Sequence, residues 1–307
     1  MKKLVMMIGL PGSGKSTIAN RNEGQSLVLS TDAIRGELFG DDNIQRSPDK
    51  VFETVKRRIV ESLNGGCDTV VMDATNLRKK NRIPFIAEIR ARVNSDIKVV
   101  AHWVAVPYAE CLKRDGERDR QVGADAIRKM YLNISPPGYE EGFDGIEVSF
   151  NCAEEQMANY TVDRFMAVAM AFDQRNPHHS LTLGEHCTKA MEYVKEHGGS
   201  DKVCRAAQIH DNGKLFTASF LNYKGEMTEE CHYYQHHCVG AYDSVFYTRH
   251  QCSCEDSVYI ANLIYYHMHP LLDWKNNPAK QNKDTAAMSQ DFLNDLMLLH
   301  VGDMFAH

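Results

Sequence analysis

The sequence predicts two domains of different class: an α/β domain with a parallel sheet and helices on both faces over residues 1–152, then an all-α domain over residues 153–307. Three observations predict it. Four short apolar runs alternate with amphipathic segments in the first half, the pattern of a parallel sheet buried on both faces. After "PPGYEEGFDGIEVSF" apolar residues recur mostly every three or four positions, as in helices. Histidine and charge shift at the same place. Of fourteen histidines only His102 precedes residue 152, and Lys+Arg against Asp+Glu falls from 23 against 21 to 12 against 20.

In chain order, "KLVMMIGL" reads as a buried strand, with a helix beginning near Lys15, and "SLVLSTD" as a second strand. A helix over "PDKVFETVKRRIVESL" leads to "DTVVMDATN", and another helix leads to "IKVVAHWVAV". In the second half "LGEHCTKAMEYVKEHGG" is a helix ended by glycines, and "KVCRAAQIHDNG", "SVYIANLIYYHMH" and "DFLNDLMLLHVGDMF" supply three more. The boundary falls near residues 150–158, and no internal repeat interrupts either half.

A chain of 307 residues can bury two cores, and 43% hydrophobic with 25% charged residues is the composition of a soluble globular protein. No apolar run approaches the roughly 20 residues of a membrane span. The start "MKKLVMMIGL" shares features with a signal peptide, but a glycine-rich motif follows at once and explains it better as a strand. Nine cysteines without a small-domain disulfide framework indicate reduced thiols and a cytoplasmic location. Cys252 and Cys254 form a lone C-x-C without the second pair a zinc site requires, so they read as ordinary loop thiols.

Gly9 to Ser16, "GLPGSGKS", fits G-x-x-x-x-G-K-[ST] in full, after a strand and before a helix. Gly9, Gly12, Ser13 and Gly14 turn backbone N–H groups onto phosphate oxygens, helped by the helix N-terminus, with Thr17 in the same loop. Lys15 should contact the β and γ phosphates of ATP or another NTP, and Ser16 should hold Mg²⁺. "STDAIR" puts Asp32 at the carboxyl end of the second strand with Arg35 one turn later. A carboxylate there can accept a hydroxyl proton and an arginine can fix a phosphate; Asp32 also reads as the N-cap of its helix, and both can hold. Asp73 ends the third strand near a basic cluster, Arg78, Lys79, Lys80 and Arg82. The cluster suits acceptor phosphates and a solvated helix face about equally. "AVPYAECLKRDGERDRQ" supplies Arg114, Arg118 and Arg120 in a segment suited to a mobile lid.

"GLPGSGKST", "STDAIR", "DATN" and "VPYAECLKRDGERDRQVGADAIRKMY" together resemble the P-loop polynucleotide 5′-hydroxyl kinases of the bacteriophage type, across most of residues 1–135. The resemblance implies Asp32 as general base, Arg35 as a contact to the substrate's 3′ phosphate and Arg118 as the lid arginine. The wider group of small P-loop kinases shares the loop and a carboxylate near Asp32.

The second half carries His186, His210 with Asp211, His236, His267 and Asp303, each in or at the end of an expected helix. Six such ligands suit one or two transition-metal ions (Zn, Mn, Fe, Co or Ni), with Asp211 bridging a pair. The ordered series, an upstream His, H-D-x-G-K, H-x-x-x-G-A, a later His and a terminal Asp, resembles the HD-domain metal phosphohydrolases over about residues 175–307. His237 could replace His236, His269 could replace His267, and His178 and His179 could support the ligands. Lys214 is placed to meet a phosphate. Such a centre could remove a 3′ phosphate, open a 2′,3′-cyclic phosphate or cleave nucleotides.

The two resemblances together are similar to the bacterial HD-plus-polynucleotide-kinase end-healing enzymes, here with the kinase module first. The acidic D-x-D-G-T phosphatase motif of the phage-type enzyme is absent. RNA or DNA ends, a partner ligase that joins healed ends, no membrane and a homo-oligomer are compatible partner expectations. A small-molecule or nucleoside kinase fused to a nucleotide phosphohydrolase is the alternative. A net charge of −6 argues against extensive duplex wrapping but leaves room for a grip on a strand's end.

Overall fold

The computed structural model describes residues 1–22, 26–40, 47–177 and 180–306. They form two compact units. The first comprises residues 1–128 and 137–152, the second residues 129–136 and 153–307. The eight residues 129–136 therefore depart from a simple division at 152, and the helix α6 (Ala124–Tyr131) starts in one unit and ends in the other.

The first unit is built on β1 (Lys2–Ile8), β2 (Leu27–Ser30), β3 (Thr69–Asp73), β4 (Ile97–Ala105) and β5 (Gly145–Phe150). All pair in parallel, in the order β2-β3-β1-β4-β5. Leu4, Met6, Met7 and Ile8 of β1 and Val70 to Met72 of β3 are buried from both faces, which is why they read as continuous apolar runs. β5 was not among the four expected strands. It is an edge strand whose "GIEVSF" alternates, with only Ile146 fully buried, so it lacks a continuous apolar signal. The strands are linked by α1 (Lys15–Ala19), α2 (Thr31–Phe39), α3 (Pro48–Asn64), α4 (Lys79–Arg92) and α5 (Tyr108–Gly116). α3 is typical: Pro48 starts it, and Val51, Val55, Ile59 and Leu63, four apart, line its buried side. The sheet order brings the carboxyl ends of β1, β3 and β2 side by side, and functional groups gather there.

The basic cluster after β3 is partly structural. Arg82 is 1% exposed and grips Glu141 with two bonds, Nη2 to Oε1 at 2.6 Å and Nε to Oε2 at 2.7 Å, while its Nη1 donates to Asn76 O at 2.8 Å. Lys79 pairs with Glu140 at 2.6 Å. These two cations are committed internally, and Arg78 and Lys80 are the exposed members. Arg82→Ala would leave the Glu141 carboxylate buried without its cation, so a loss of about 3–5 kcal/mol is expected, read as a lower denaturation midpoint.

The second unit is mainly helical. After α7 (Glu154–Met157) and α8 (Val162–Ala169), its core elements are α9 (Leu183–Glu196), α10 (Asp201–Ile209), α11 (Lys214–Thr217), α12 (His236–Thr248), α13 (Cys254–Tyr266), α14 (Pro278–Thr285) and α15 (Gln290–Phe305). Their apolar faces close over Leu183, Val194, Val203, Ile209, Leu263 and Leu299. The expectation of an all-α domain needs one correction, an antiparallel hairpin of β6 (Ser219–Leu221) and β7 (Met227–His232). Its turn is local chemistry. Asn222 Oδ1 accepts from the N–H of Lys224 and Glu226 at 2.9 and 3.0 Å, and Gly225 takes the left-handed backbone that follows. No described helix is long and apolar enough to cross a membrane, and all nine cysteines are free thiols.

Candidate functional site

Gly14 sits at the N-cap of α1 with φ of 83°, where a side chain would be strained and its Cβ would collide with the Asn151 amide. That amide is itself part of the loop's support. Asn151 Nδ2 donates to Ser13 O at 2.9 Å, and Arg114 Nη1 donates to Asn151 O at 2.8 Å while its Nε holds Glu110 at 2.7 Å. Asn151 thus ties the phosphate loop to the end of β5, and Arg114 holds Asn151 from α5 instead of standing in a lid. Asn151 carried no motif and was invisible in the sequence. On the other side, Gly9 N–H donates to Thr75 O at 3.1 Å and Asn76 Nδ2 to Met7 O at 2.8 Å. Ser16 and Thr17 are exposed at the first turn of α1, as ligands for Mg²⁺ and phosphate need to be.

Lys15 folds back into its own loop, where Nζ donates to Leu10 O at 2.8 Å and to Ser13 Oγ at 3.3 Å. Burial pushes its pKa down from 10.5 to about 8, against the attraction of Asp73. Phosphate oxygens arriving beside the ammonium would restore the charged form. Above about pH 8 the free protein holds Lys15 neutral, and phosphate oxygens favour its charged form, so binding there takes up a proton. Nucleotide affinity is therefore expected to be flat below about pH 8 and to fall by up to about tenfold per pH unit above it, measurable by calorimetric titration across that window.

Asp32 lies in the first turn of α2, but Ser30 is the N-cap, its Oγ accepting from Ala33 N–H at 3.4 Å. The capping reading of Asp32 is thereby corrected: a serine two residues earlier takes that place, which leaves the Asp32 carboxylate to face the arginines. Its Oδ1 meets Arg35 Nη1 at 2.5 Å and its Oδ2 lies 3.6 Å from Arg120 Nη1. Arg118 is half-exposed, 3.9 Å from Asp115, and near enough to Lys15 for its charge to press on that ammonium. The loop carrying both arginines is pinned at its base. Asp115 is buried and accepts from Val122 N–H at 3.0 Å and Gly123 N–H at 2.9 Å, and Gln121 reaches back to Gly116 O at 2.9 Å. Asp73 is buried at the end of β3.

In the helical unit all six expected ligands converge. His186 comes from α9, His210 and Asp211 from the end of α10, His236 from α12, His267 from the end of α13 and Asp303 from α15. Gly213 makes this approach possible: a Cβ there would lie 2.7 Å from Gly240 N, so only glycine lets the turn after Asp211 sit against α12. Asp211 faces both ways. Its Oδ2 lies 3.3 Å from His186 Nε2 and 3.4 Å from His210 Nε2, and its Oδ1 lies 3.1 Å from His236 Nε2 and 3.7 Å from His267 Nε2. Asp303 Oδ1 completes the first side, 3.1 Å from His186 and 3.4 Å from His210.

The far nitrogens explain the orientation. Nδ1 of His186, His210, His236 and His267 each meets a backbone carbonyl, of Ala306, Ala207, Tyr233 and Ile264, at 3.2, 2.8, 2.8 and 2.6 Å. A carbonyl only accepts, so Nδ1 of each ring carries a proton and Nε2 is the nitrogen turned inward. Burial alone would push His186 down, but the hydrogen bonds its Nε2 donates to the Asp211 and Asp303 carboxylates outweigh it and hold the imidazole up at about 9. Burial likewise works to raise Asp211, yet the charges of Lys214 and His210 outweigh it and hold the carboxyl well below the usual range. The six side chains form three overlapping groups whose donor atoms could hold a metal ion: His186, His210 and Asp211; His210, His267 and Asp303; and Asp211, His236 and His267.

Lys214 is 4% exposed and donates to Asp211 Oδ2 at 2.7 Å and Gln174 Oε1 at 2.8 Å, so its ammonium is engaged in orienting the bridge, where the sequence suggested a phosphate contact. His236 and His267 face Asp211. His237 and His269 turn instead toward each other, ring centroids 5.9 Å apart. His178 and His179 lie outside the described residues.

Residues 4–137 match a family model described as an AAA domain. A curated relative, L-seryl-tRNA(Sec) kinase of Methanococcus maripaludis, is 22% identical over 173 residues, which span 54% of this chain and 65% of that protein. Solved structures with similar folds include a putative kinase from Chloroflexus aurantiacus, 14% identical with a TM-score of 0.40, covering 50% of this chain and 88% of its own. Another is a chain of the Pnkp1/Rnl/Hen1 RNA repair complex, 22% identical with a TM-score of 0.34 and 42% of each chain covered. With its phosphate loop and parallel sheet, the matched segment fits the fold of a P-loop kinase domain, which would take ATP with Mg²⁺.

Proposed function

We propose that the protein heals nucleic-acid ends, its P-loop kinase unit phosphorylating 5′-hydroxyls of RNA or DNA and its helical unit, as an HD-type metal phosphoesterase, clearing 2′,3′-cyclic, 2′ or 3′ phosphates. The observation that carries the kinase half is the Asp32–Arg35 pair beside the phosphate loop. Asp32 accepts the proton of the attacking hydroxyl, whose oxygen bonds to the γ phosphorus as the bond to ADP breaks. Lys15 and Arg118 neutralise the charge that builds on the transferring group, Ser16 holds Mg²⁺, and Arg35 binds the acceptor's adjacent phosphate. The Methanococcus relative is a kinase for a seryl-tRNA, a hydroxyl carried by an RNA, which fits this acceptor class.

In the helical unit His186, His210, Asp211, His236, His267 and Asp303 would hold the ions. The chemistry supplied by bound ions is activation of water and polarisation of the phosphoester. Lys214 fixes the Asp211 carboxylate, and the four backbone carbonyls fix the imidazoles. A 5′ phosphate with a 3′ hydroxyl is what a ligase requires, so a ligase is the fitting partner.

The test uses a 5′-hydroxyl RNA oligonucleotide ending in a 2′,3′-cyclic phosphate, labelled ATP, Mg²⁺ and Mn²⁺ or Ni²⁺. Asp32→Ala is expected to lose only 5′ labelling and Asp211→Ala only end opening. If the wild type leaves both ends untouched yet phosphorylates nucleosides or other small molecules, the alternative of a small-molecule kinase fused to a nucleotide phosphohydrolase replaces this reading.

A further inference from the structure

We infer that Gln174 is a positioning residue of the helical unit, its side-chain carbonyl directing the Lys214 ammonium at Asp211 and so setting how tightly the cluster takes a divalent cation. The inference rests on the metal reading above and deepens it, because it adds a residue outside the six that converge, one that acts through Lys214. Gln174 lies in the irregular segment between α8 and α9 and is 0% exposed. A glutamine buried to that extent must have its amide satisfied at both ends. Its Oε1 accepts from Lys214 Nζ at 2.8 Å, and its Nε2 donates to Leu181 O at 3.2 Å. The backbone around it is held as firmly. Tyr233 Oη, three residues before His236, donates to Gln174 O, and the Tyr233 ring centroid stands 5.3 Å from Lys214 Nζ. Arg175 N–H donates to Asp173 Oδ1 at 2.9 Å, Arg175 O accepts from Cys231 N–H at 2.9 Å, and Asn176 Nδ2 donates to Cys231 O at 2.9 Å. Within this frame Arg175 takes a φ of 46°, a left-handed backbone that strains a residue with a side chain and persists only where its surroundings fix it. The strained residue is the one next to Gln174.

What Gln174 supplies is an acceptor without charge. Lys214 donates to Asp211 Oδ2 at 2.7 Å, and the same oxygen lies 3.3 and 3.4 Å from Nε2 of His186 and His210. The ammonium and a cation held by those imidazoles therefore draw on one carboxylate oxygen. A lysine side chain is long and flexible, so a second acceptor is needed to fix where its ammonium points. Gln174 Oε1 takes part of the ammonium's donor capacity and, being neutral, leaves its charge in place. Without that carbonyl the Lys214 head, 4% exposed, would lose a buried partner and lean harder on Asp211, at the expense of the cation. A carboxylate at position 174 would do the reverse, sharing the ammonium and returning Oδ2 to the cluster.

The experiment titrates Mn²⁺ into the whole chain, stripped of metal by chelation and dialysis, and reads free Mn²⁺ by electron paramagnetic resonance. Wild type, Gln174→Met and Gln174→Glu are compared, with Asp211→Ala as the baseline for uptake elsewhere in the chain. Methionine keeps the volume and removes both amide contacts, whereas glutamate loses only the donor to Leu181 and keeps the acceptor for Lys214. Gln174→Met is expected to weaken Mn²⁺ binding about tenfold or more, and Gln174→Glu to bind as tightly as wild type or tighter. Equal weakening in both variants would mean that Gln174 serves only the chain around Leu181, and unchanged binding in Gln174→Met would mean that it sets nothing; either result overturns the inference. Should Gln174→Met not fold, Gln174→Glu decides alone, since weakened binding there overturns the inference and wild-type or tighter binding upholds it. A wild type that takes up no more Mn²⁺ than Asp211→Ala refutes the metal reading and the inference with it. A protein that shows the expected pattern and cleaves no phosphoester keeps the Gln174 assignment and refutes the phosphoesterase reading.

Discussion

If the helical unit is the metal phosphoesterase proposed above, Asp211→Ala is expected to abolish both metal binding and phosphoester cleavage. Its two oxygens serve two sets of imidazoles, so no other side chain can bridge them. The substitution also strands the buried Lys214 ammonium without its carboxylate, and breaking a buried pair in this way costs about 3–5 kcal/mol. Asp303→Ala is expected to behave differently. Asp303 meets His186 and His210 at 3.1 and 3.4 Å and has no part in the contacts between Asp211 and His236, so on the proposed reading its loss should cost less metal than the loss of Asp211. Metal content per chain after dialysis reads the difference directly. Equal loss in the two variants would refute the shared-carboxylate arrangement, whatever the activity.

Lys15→Met is expected to remove about 10²- to 10³-fold of phosphoryl transfer, the cost of deleting one preorganised cation at the transferring group. It is not expected to destabilise the fold. Burial already disfavours the Lys15 ammonium in the free protein, and a methionine fills the same space without a charge to desolvate. The denaturation midpoint should therefore hold or rise while transfer collapses. A midpoint that falls would mean that the bonds from Nζ to Leu10 and Ser13 support the loop more than burial penalises it.

What the sequence disclosed follows the range of the interactions involved. The phosphate loop was legible because its residues are contiguous and its glycine geometry is local. The inner strands β3, β1 and β4 were legible because burial on both faces writes an unbroken apolar run; the edge strand β2 was legible from its apolar "LVL", and the other edge strand, β5, was missed because its apolar residues alternate with polar ones. The six side chains that converge in the helical unit could be named in order, yet the choice of His236 over His237 and of His267 over His269 depended on which face of each helix meets Asp211. Long-range support was hidden altogether. Asn151 joins the phosphate loop across 138 residues and Arg82 joins Glu141 across 59, and neither leaves a local pattern. The hairpin of β6 and β7 had a signal that went unused, an asparagine followed three residues later by glycine.

Three of the four imidazoles that face Asp211 are anchored by the carbonyl three residues earlier in their own chain: Ala207 for His210, Tyr233 for His236 and Ile264 for His267. The anchor belongs to the peptide backbone, so no side-chain replacement at those positions can delete it; only unwinding the local turn can. Inherited variation can therefore reshape the walls around the six ligands and leave their aim untouched. Under the proposed reading, a lineage with this arrangement can change what it cleaves without first rebuilding how it would hold its ions.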